Sequence, residues 1–299
     1  MQTSEGTTTD ERVVESEYLR TFSPRIMDWQ AAFVFAKKNL RIALRYPANV
    51  LIWGFLPILW FTPFILMFNA LAGAGSSTSF TELAGFSDFI QFSIIGWFVY
   101  MWLDASIWSI GNNFRWEQFS GTLEPLFLTP VSRISILIGA ALSDTVFISL
   151  QTIILLTLAT LIFGVSYSIV AIIPTILILL MMVIALYGFS FMIAGLIMVF
   201  KDPSVLTQLI SQSTYTISPV NYPLQALPSQ VRFVAYIIPT TIGIVTVRQI
   251  AITGLFDIFS FLISIGSLGI LAVVLWTFGI LSFRYAERWT KERGSMGGF

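Results

Sequence analysis

Histidine and cysteine are both absent from this chain, which narrows the chemistry open to it. No imidazole acid/base group, thiol nucleophile, disulfide or Cys/His zinc site is available. The carboxylates lying well within its long apolar runs are Asp104 and Asp144, in the second and third of them. An acidic side chain at the centre of a membrane helix costs about 2.5–3.5 kcal/mol. Each such residue either meets a cationic substrate or a proton, or is paired and hydrogen-bonded at a helix interface, and both readings stand at this stage. Gln208, Ser211, Gln212 and Thr214 pose the same question in a later run, where they either hydrogen-bond between helices or line a path between protomers. A second cluster lies between apolar runs: FRWEQFSGTLEPLFLTPVSR, residues 114–133, gathers Arg115, Glu117, Glu124 and Arg133 with Gly121 and two prolines. Neither a catalytic carboxylate or serine constellation nor the phosphate-cradling pattern G-x-x-x-x-G-K-[ST] occurs. Any ATP-driven work must therefore use an ATPase acting in trans.

The elements that position these residues follow from composition. Hydrophobic residues make up 56% of the 299 and charged residues 11%, with a mean hydropathy of +0.82; this is an all-α integral membrane protein. Sixteen basic and 16 acidic residues cancel, which gives no argument for nucleic acid and shifts attention to where the charges fall. Crossing the hydrocarbon layer takes about 20 apolar residues, and 48–71, 89–111, 134–163, 169–200 and 256–283 qualify. Two further segments compete for a sixth crossing: the polar run 205–220, and 231–252, which is interrupted at Pro239 and Gly243.

Charge asymmetry bears on the choice. Seven basic residues precede the first span and four follow the last, so the positive-inside rule puts both termini in the cytoplasm and makes the span count even. Six spans place Arg115, Arg133 and Lys201 inside as well, leaving Arg232 and Arg248 outside. The reading adopted is that 205–220 crosses and that 229–254 re-enters from outside as two short helices; the reverse assignment has the same parity. Non-helical backbone at that depth needs protein or a water-filled cavity around it.

At the N-terminus, residues 1–22 are polar and read as a disordered cytoplasmic tail without the order of a signal peptide. Ser23-Pro24 reads as a helix start and Tyr46-Pro47 as a stop. Between them Trp29 and Phe33 join Lys37, Arg41 and Arg45 in a helical pattern that suits an interfacial amphipathic helix, 23–46, with its aromatics toward lipid and its cations toward anionic headgroups. The alternative is an extension of the first span. The 114–133 segment becomes the longest internal cytoplasmic loop, with a short amphipathic helix over 114–128 whose stripe is Trp116, Phe119, Leu123, Leu126 and Phe127. Its acidic Glu117 and Glu124 suit a basic groove on a partner better than an anionic leaflet, although a helix floating in the headgroups is the competing reading.

GTLEPLFLTPVSR, preceded by Glu117 and followed by ILIGA, resembles the first cytoplasmic loop of ABC-2 type permeases, the membrane subunits of ATP-binding-cassette exporters. The minimal loop Lys201-Asp202-Pro203 and the proline-broken hairpin match the same pattern, and the likeness covers residues 24–290. It implies a dimer of permeases, with a second copy or a related chain, carried on nucleotide-binding subunits that hold ATP and Mg; no cofactor belongs to this chain. It also implies that 114–128 is the coupling helix, with Glu117, Gly121, Thr122, Leu123, Glu124, Pro125 and Leu126 in the partner's groove and Thr129 and Pro130 at the hinge into the third span. The domain division that results is tail 1–22, interfacial helix 23–46, transmembrane domain 47–285 and cytoplasmic tail 286–299 in the cell membrane. Phe and Met in a dimer cleft would suit an amphipathic or lipid-like cargo. Asp104 and Asp144 keep a secondary transporter or channel as the alternative, and a membrane-embedded enzyme is a third class.

Overall fold

The computed structural model describes residues 28–72, 78–122, 125–126, 128–129, 131–197, 203–254 and 257–292. All regular structure among them is helical. In chain order the helices are α1 (Trp29–Leu44), α2 (Pro47–Ala72), α3 (Thr78–Ala84), α4 (Phe89–Phe119), α5 (Arg133–Phe163), α6 (Ile172–Ile197), α7 (Pro203–Ile217), α8 (Ser229–Ile237), α9 (Pro239–Thr253) and α10 (Ile258–Glu292). Five of them, α2, α4, α5, α6 and α10, are long and apolar enough to cross a membrane. The α8–α9 pair is also apolar enough, but it bends by 95° at its break.

Helix ends explain where the expected boundaries shift. α1 starts at Trp29 because Asp28 is extended and its carboxylate accepts from the Gln30 N–H at 2.9 Å and the Ala31 N–H at 3.3 Å. The cap expected at Ser23-Pro24, like the whole of 1–22, lies outside the described residues. α4 runs 31 residues without a break, about 46 Å at 1.5 Å per residue. The segment 114–119, expected to open a separate helix, therefore continues the helix that carries the second candidate span. Gly121 stops it: at φ 68° it lets the Thr122 N–H turn back onto the Glu117 carbonyl at 2.9 Å, the six-to-one bond of a Schellman motif. α10 likewise continues to Glu292, so the first residues of the expected C-terminal tail are helical. Asp257 caps its start, accepting from the Ser260 N–H at 3.0 Å and hydroxyl at 2.9 Å; these bonds hold its carboxyl below the usual carboxylate range.

In lipid the helices gain little from burying apolar surface against one another, so close packing and hydrogen bonds must hold them together. The most extensive contact joins α6 to α10. A Cβ on Gly279 would sit 2.5 Å from the Gly188 carbonyl oxygen, so backbone meets backbone there. Phe191 and Phe283 fill the space beside it with Ile110 and Leu137, and the Trp276 indole donates to the Ile184 carbonyl at 2.7 Å. Outward faces such as those of Leu161, Ile173 and Val273 are left exposed, as contact with lipid tails requires.

The bundle has two distinct ends. At the near end Lys38 of α1 meets Glu117 of α4. At the far end the Ser168 N–H donates to the Ala251 carbonyl at 3.3 Å, and the turn Leu224–Ala226 packs on α3. Arg248 is buried there and serves as a clamp. Its guanidinium donates to the carbonyls of Phe92 at 2.9 Å, Pro219 at 2.6 Å and Val220, while lying 3.5 Å from the Phe92 ring centroid. α9 thus grips the start of α4 and the end of α7 together. Its other end is deeper, since Gly243 lies against Val99 and Met182, and Val99 is about 15 Å along α4 from Phe89.

Candidate functional site

The near end builds a corner from three helix termini. α1 lies along α5 with Ala32, Phe35 and Ala36 buried, and Phe35 packs with Ile136 and Ala140. Ser132 caps α5, accepting from the Ser135 N–H at 3.2 Å, and the Ser135 hydroxyl accepts from the Asp28 N–H at 2.7 Å. The caps of α1 and α5 are therefore one hydrogen-bonded unit. Across the corner Lys38 Nζ donates to Glu117 Oε1 at 2.6 Å, and the Thr122 hydroxyl donates to Glu117 Oε2 at 2.5 Å. One carboxylate thereby ties α1, the end of α4 and the chain leaving it. Leu126 then packs back onto the Phe35 cluster, and the Thr129 hydroxyl donates to the Leu126 carbonyl at 2.6 Å.

Of the residues expected at the coupling segment, Glu117 is buried, Leu126 half-buried, and Gly121, Thr122, Pro125 and Thr129 exposed. Leu123, Glu124, Phe127 and Pro130 lie outside the described residues. Trp116 and Phe119, at 71% and 70% exposure, present an aromatic pair outward with ring centroids 6.5 Å apart. On α1, Trp29, Phe33, Lys37, Arg41 and Arg45 are all exposed. Spaced by four, they wind about 40° per step around the helix, so the stripe passes gradually from the aromatics Trp29 and Phe33 to the cations Lys37, Arg41 and Arg45, about 160° in all.

The intramembrane candidates separate into two places. Asp104 of α4 accepts from the Ser211 hydroxyl of α7, and the Tyr100 hydroxyl lies 3.1 Å from the same Ser211 oxygen. Thr214 is buried beside them, its hydroxyl donating to the Ile210 carbonyl at 2.6 Å. Gln208 and Gln212 lie on the exposed face of α7. Asp144 is elsewhere, on the wall of a cavity between α1, α2, α4 and α5. Lys38, Tyr100 and Asn39, whose amide donates to the Ser143 hydroxyl at 3.3 Å, complete these contacts. Their residue types carried no signal of it, because each pairing joins positions far apart in the chain.

A comparison with protein-family models matches the ABC-2 type transporter model over residues 30–252. No curated protein matches the chain. A match over most of the length, on a bundle of apolar spanning helices with a capped corner at one end, makes this multi-pass membrane protein a member of the ABC-2 type transporter family, a transmembrane permease of an ABC transporter.

Proposed function

We propose that the chain is the permease subunit of an exporter that moves an amphipathic or lipid-like substrate, driven by ATP hydrolysis on a separate nucleotide-binding subunit seated on the near-end corner. The observation that carries this reading is the Glu117 junction, where Lys38 and Thr122 meet one carboxylate at the tip of a helix continuous from Phe89 to Phe119. A displacement applied at Gly121–Leu126 is thereby delivered to a rigid rod about 46 Å long rather than absorbed in a loop. The exposed Trp116–Phe119 pair supplies the apolar anchor such a contact needs. In this reading both termini are cytoplasmic, α1 is interfacial, and two permease chains pair across α7, whose Gln208 and Gln212 are exposed.

The sixth crossing is α7, and α8–α9 re-enters from the far side. Support comes from depth: the end of α7 and the start of α10 both flank far-end contacts, while the break at Pro239 lies near Gly243, which reaches Val99.

The test is association of the purified permease with its P-loop ATPase subunit. Trp116→Asp with Phe119→Asp should weaken binding by about 10–100-fold, with permease stability shifted by less than about 0.5 kcal/mol because both rings are exposed. Undiminished binding in that variant, or in Glu124→Arg, would remove this surface from the contact.

A further inference from the structure

The cavity that contains Asp144 lies inside one protomer, away from the α7 face. It holds about 620 Å³ and is lined by Trp53 of α2, Trp108 and Trp116 of α4, Asp144 and Gln151 of α5, and Asn39 of α1. It lies where the first half of α2 leans on α5, while α2 packs on α4 further along, through Phe61, Ile65 and Phe68. Trp53 and Trp116 are exposed, so the cavity is open at its rim. Glu117 also lines it, but its charge is matched by Lys38. Asp144 takes part in no ion pair among the described residues.

An ionisable acid in a spanning helix costs about 2.5–3.5 kcal/mol, and no side-chain cation among the described residues offsets it. Three tryptophans share the cavity with it, and the indole face is the strongest side-chain partner for an organic cation. The volume falls within the roughly 300–1,000 Å³ typical of sites for drug-sized ligands. Asn39 and Asn49 line the same cavity at the end where α1 lies, so a polar group can stay near the headgroups while an apolar body sits among the indoles.

We propose that this intraprotomer cavity binds a hydrophobic organic cation drawn from the leaflet beside α1, with Asp144 as counter-charge and Trp53, Trp108 and Trp116 as aromatic walls. The proposal rests on the permease reading above and assigns that transporter a substrate class and an access site. Among the groups around it, only Asp144 requires a positive charge. The indoles would accept a neutral aromatic body equally well, so charge selectivity isolates the carboxylate.

The experiment measures binding of tetraphenylphosphonium to the purified permease in nanodiscs of zwitterionic lipid, by quenching of tryptophan fluorescence and by radioligand retention. Asp144→Asn should weaken it by at least about tenfold, the equivalent of 1.4 kcal/mol. Asp144→Glu should stay within about threefold of the parent, and triphenylphosphine oxide, an uncharged relative, should bind both proteins alike. Trp53→Ala, at the exposed rim and without consequence for the core, should weaken tetraphenylphosphonium by about fivefold. Equal binding of tetraphenylphosphonium by the parent and Asp144→Asn, or no binding by the parent, overturns the proposal. ATPase association, measured on the same preparations, separates the two claims. If it persists while the cation ignores Asp144, only this inference falls. If it is absent while charge-selective binding holds, the permease reading falls instead.

Discussion

Glu117 shows how much of the site a single sequence can expose. Its type and its place between apolar runs mark it as an interaction residue, and the structure finds it buried between Lys38 and Thr122. Its pairing with Lys38, 79 positions away, is not written in any local pattern. The same holds for Asp104: the cost of an acid in lipid points to it, yet its partner Ser211 is 107 residues on. Lys38 is 40% exposed and Glu117 11%, so the pair lies between the surface and buried cases and should couple by about 1 kcal/mol. Reversing one charge, Glu117→Lys, sets two cations against each other and should uncouple ATP hydrolysis from transport. Adding Lys38→Glu restores the pair in mirrored order and should recover at least half of the coupled rate in proteoliposomes. Equal loss in the single and double variants would show that the ion pair is not what joins α1 to α4.

At the scale of elements, hydropathy located the five long spans, because a run of about 20 apolar residues has few other fates. Helix ends were less legible. The C-terminal bound of α4 depends on whether Gly121 takes φ near 68°, a choice made by the Schellman bonds and the Glu117 junction rather than by residue type alone. The N-cap of α1 at Asp28 is held by the tie between the Asp28 N–H and Ser135, again a tertiary contact. Proline gave a firmer signal, since the break between α8 and α9 falls at Pro239, the first residue of α9. Backbone contact between α6 and α10 yields a prediction at this level. Gly279→Leu forces a side chain into the Gly188 carbonyl and should cost about 1–3 kcal/mol or more. Gly266→Leu, on the same helix with nothing within 4 Å of its Cβ, should shift stability by less than about 0.5 kcal/mol. Thermal unfolding of both variants in one detergent decides it; similar losses would refute tight packing at Gly279.

For the whole molecule, a clamp at each end frames the bundle: Arg248 fastens α9 to α4 and the end of α7, and Glu117 fastens α1 to α4. α4 is common to both and also carries Asp104, which contacts Ser211 of α7; in the proposed reading α4 conveys motion imposed at one end to that contact. In the same reading the near end faces the cytoplasm and the ATPase. The chain contains no cysteine, so a single introduced thiol reports position without background. Thr129→Cys, exposed at the near end, and Ser166→Cys, exposed at the far end, should react with an impermeant maleimide from opposite faces of the membrane. The decisive measurement is labelling of Thr129→Cys in inverted vesicles with and without the ATPase subunit. Labelling should be rapid from the cytoplasmic face and strongly protected once the subunit binds. Labelling only from the outer face, or labelling unchanged by saturating subunit while ATP-driven transport proceeds, would contradict the proposed reading.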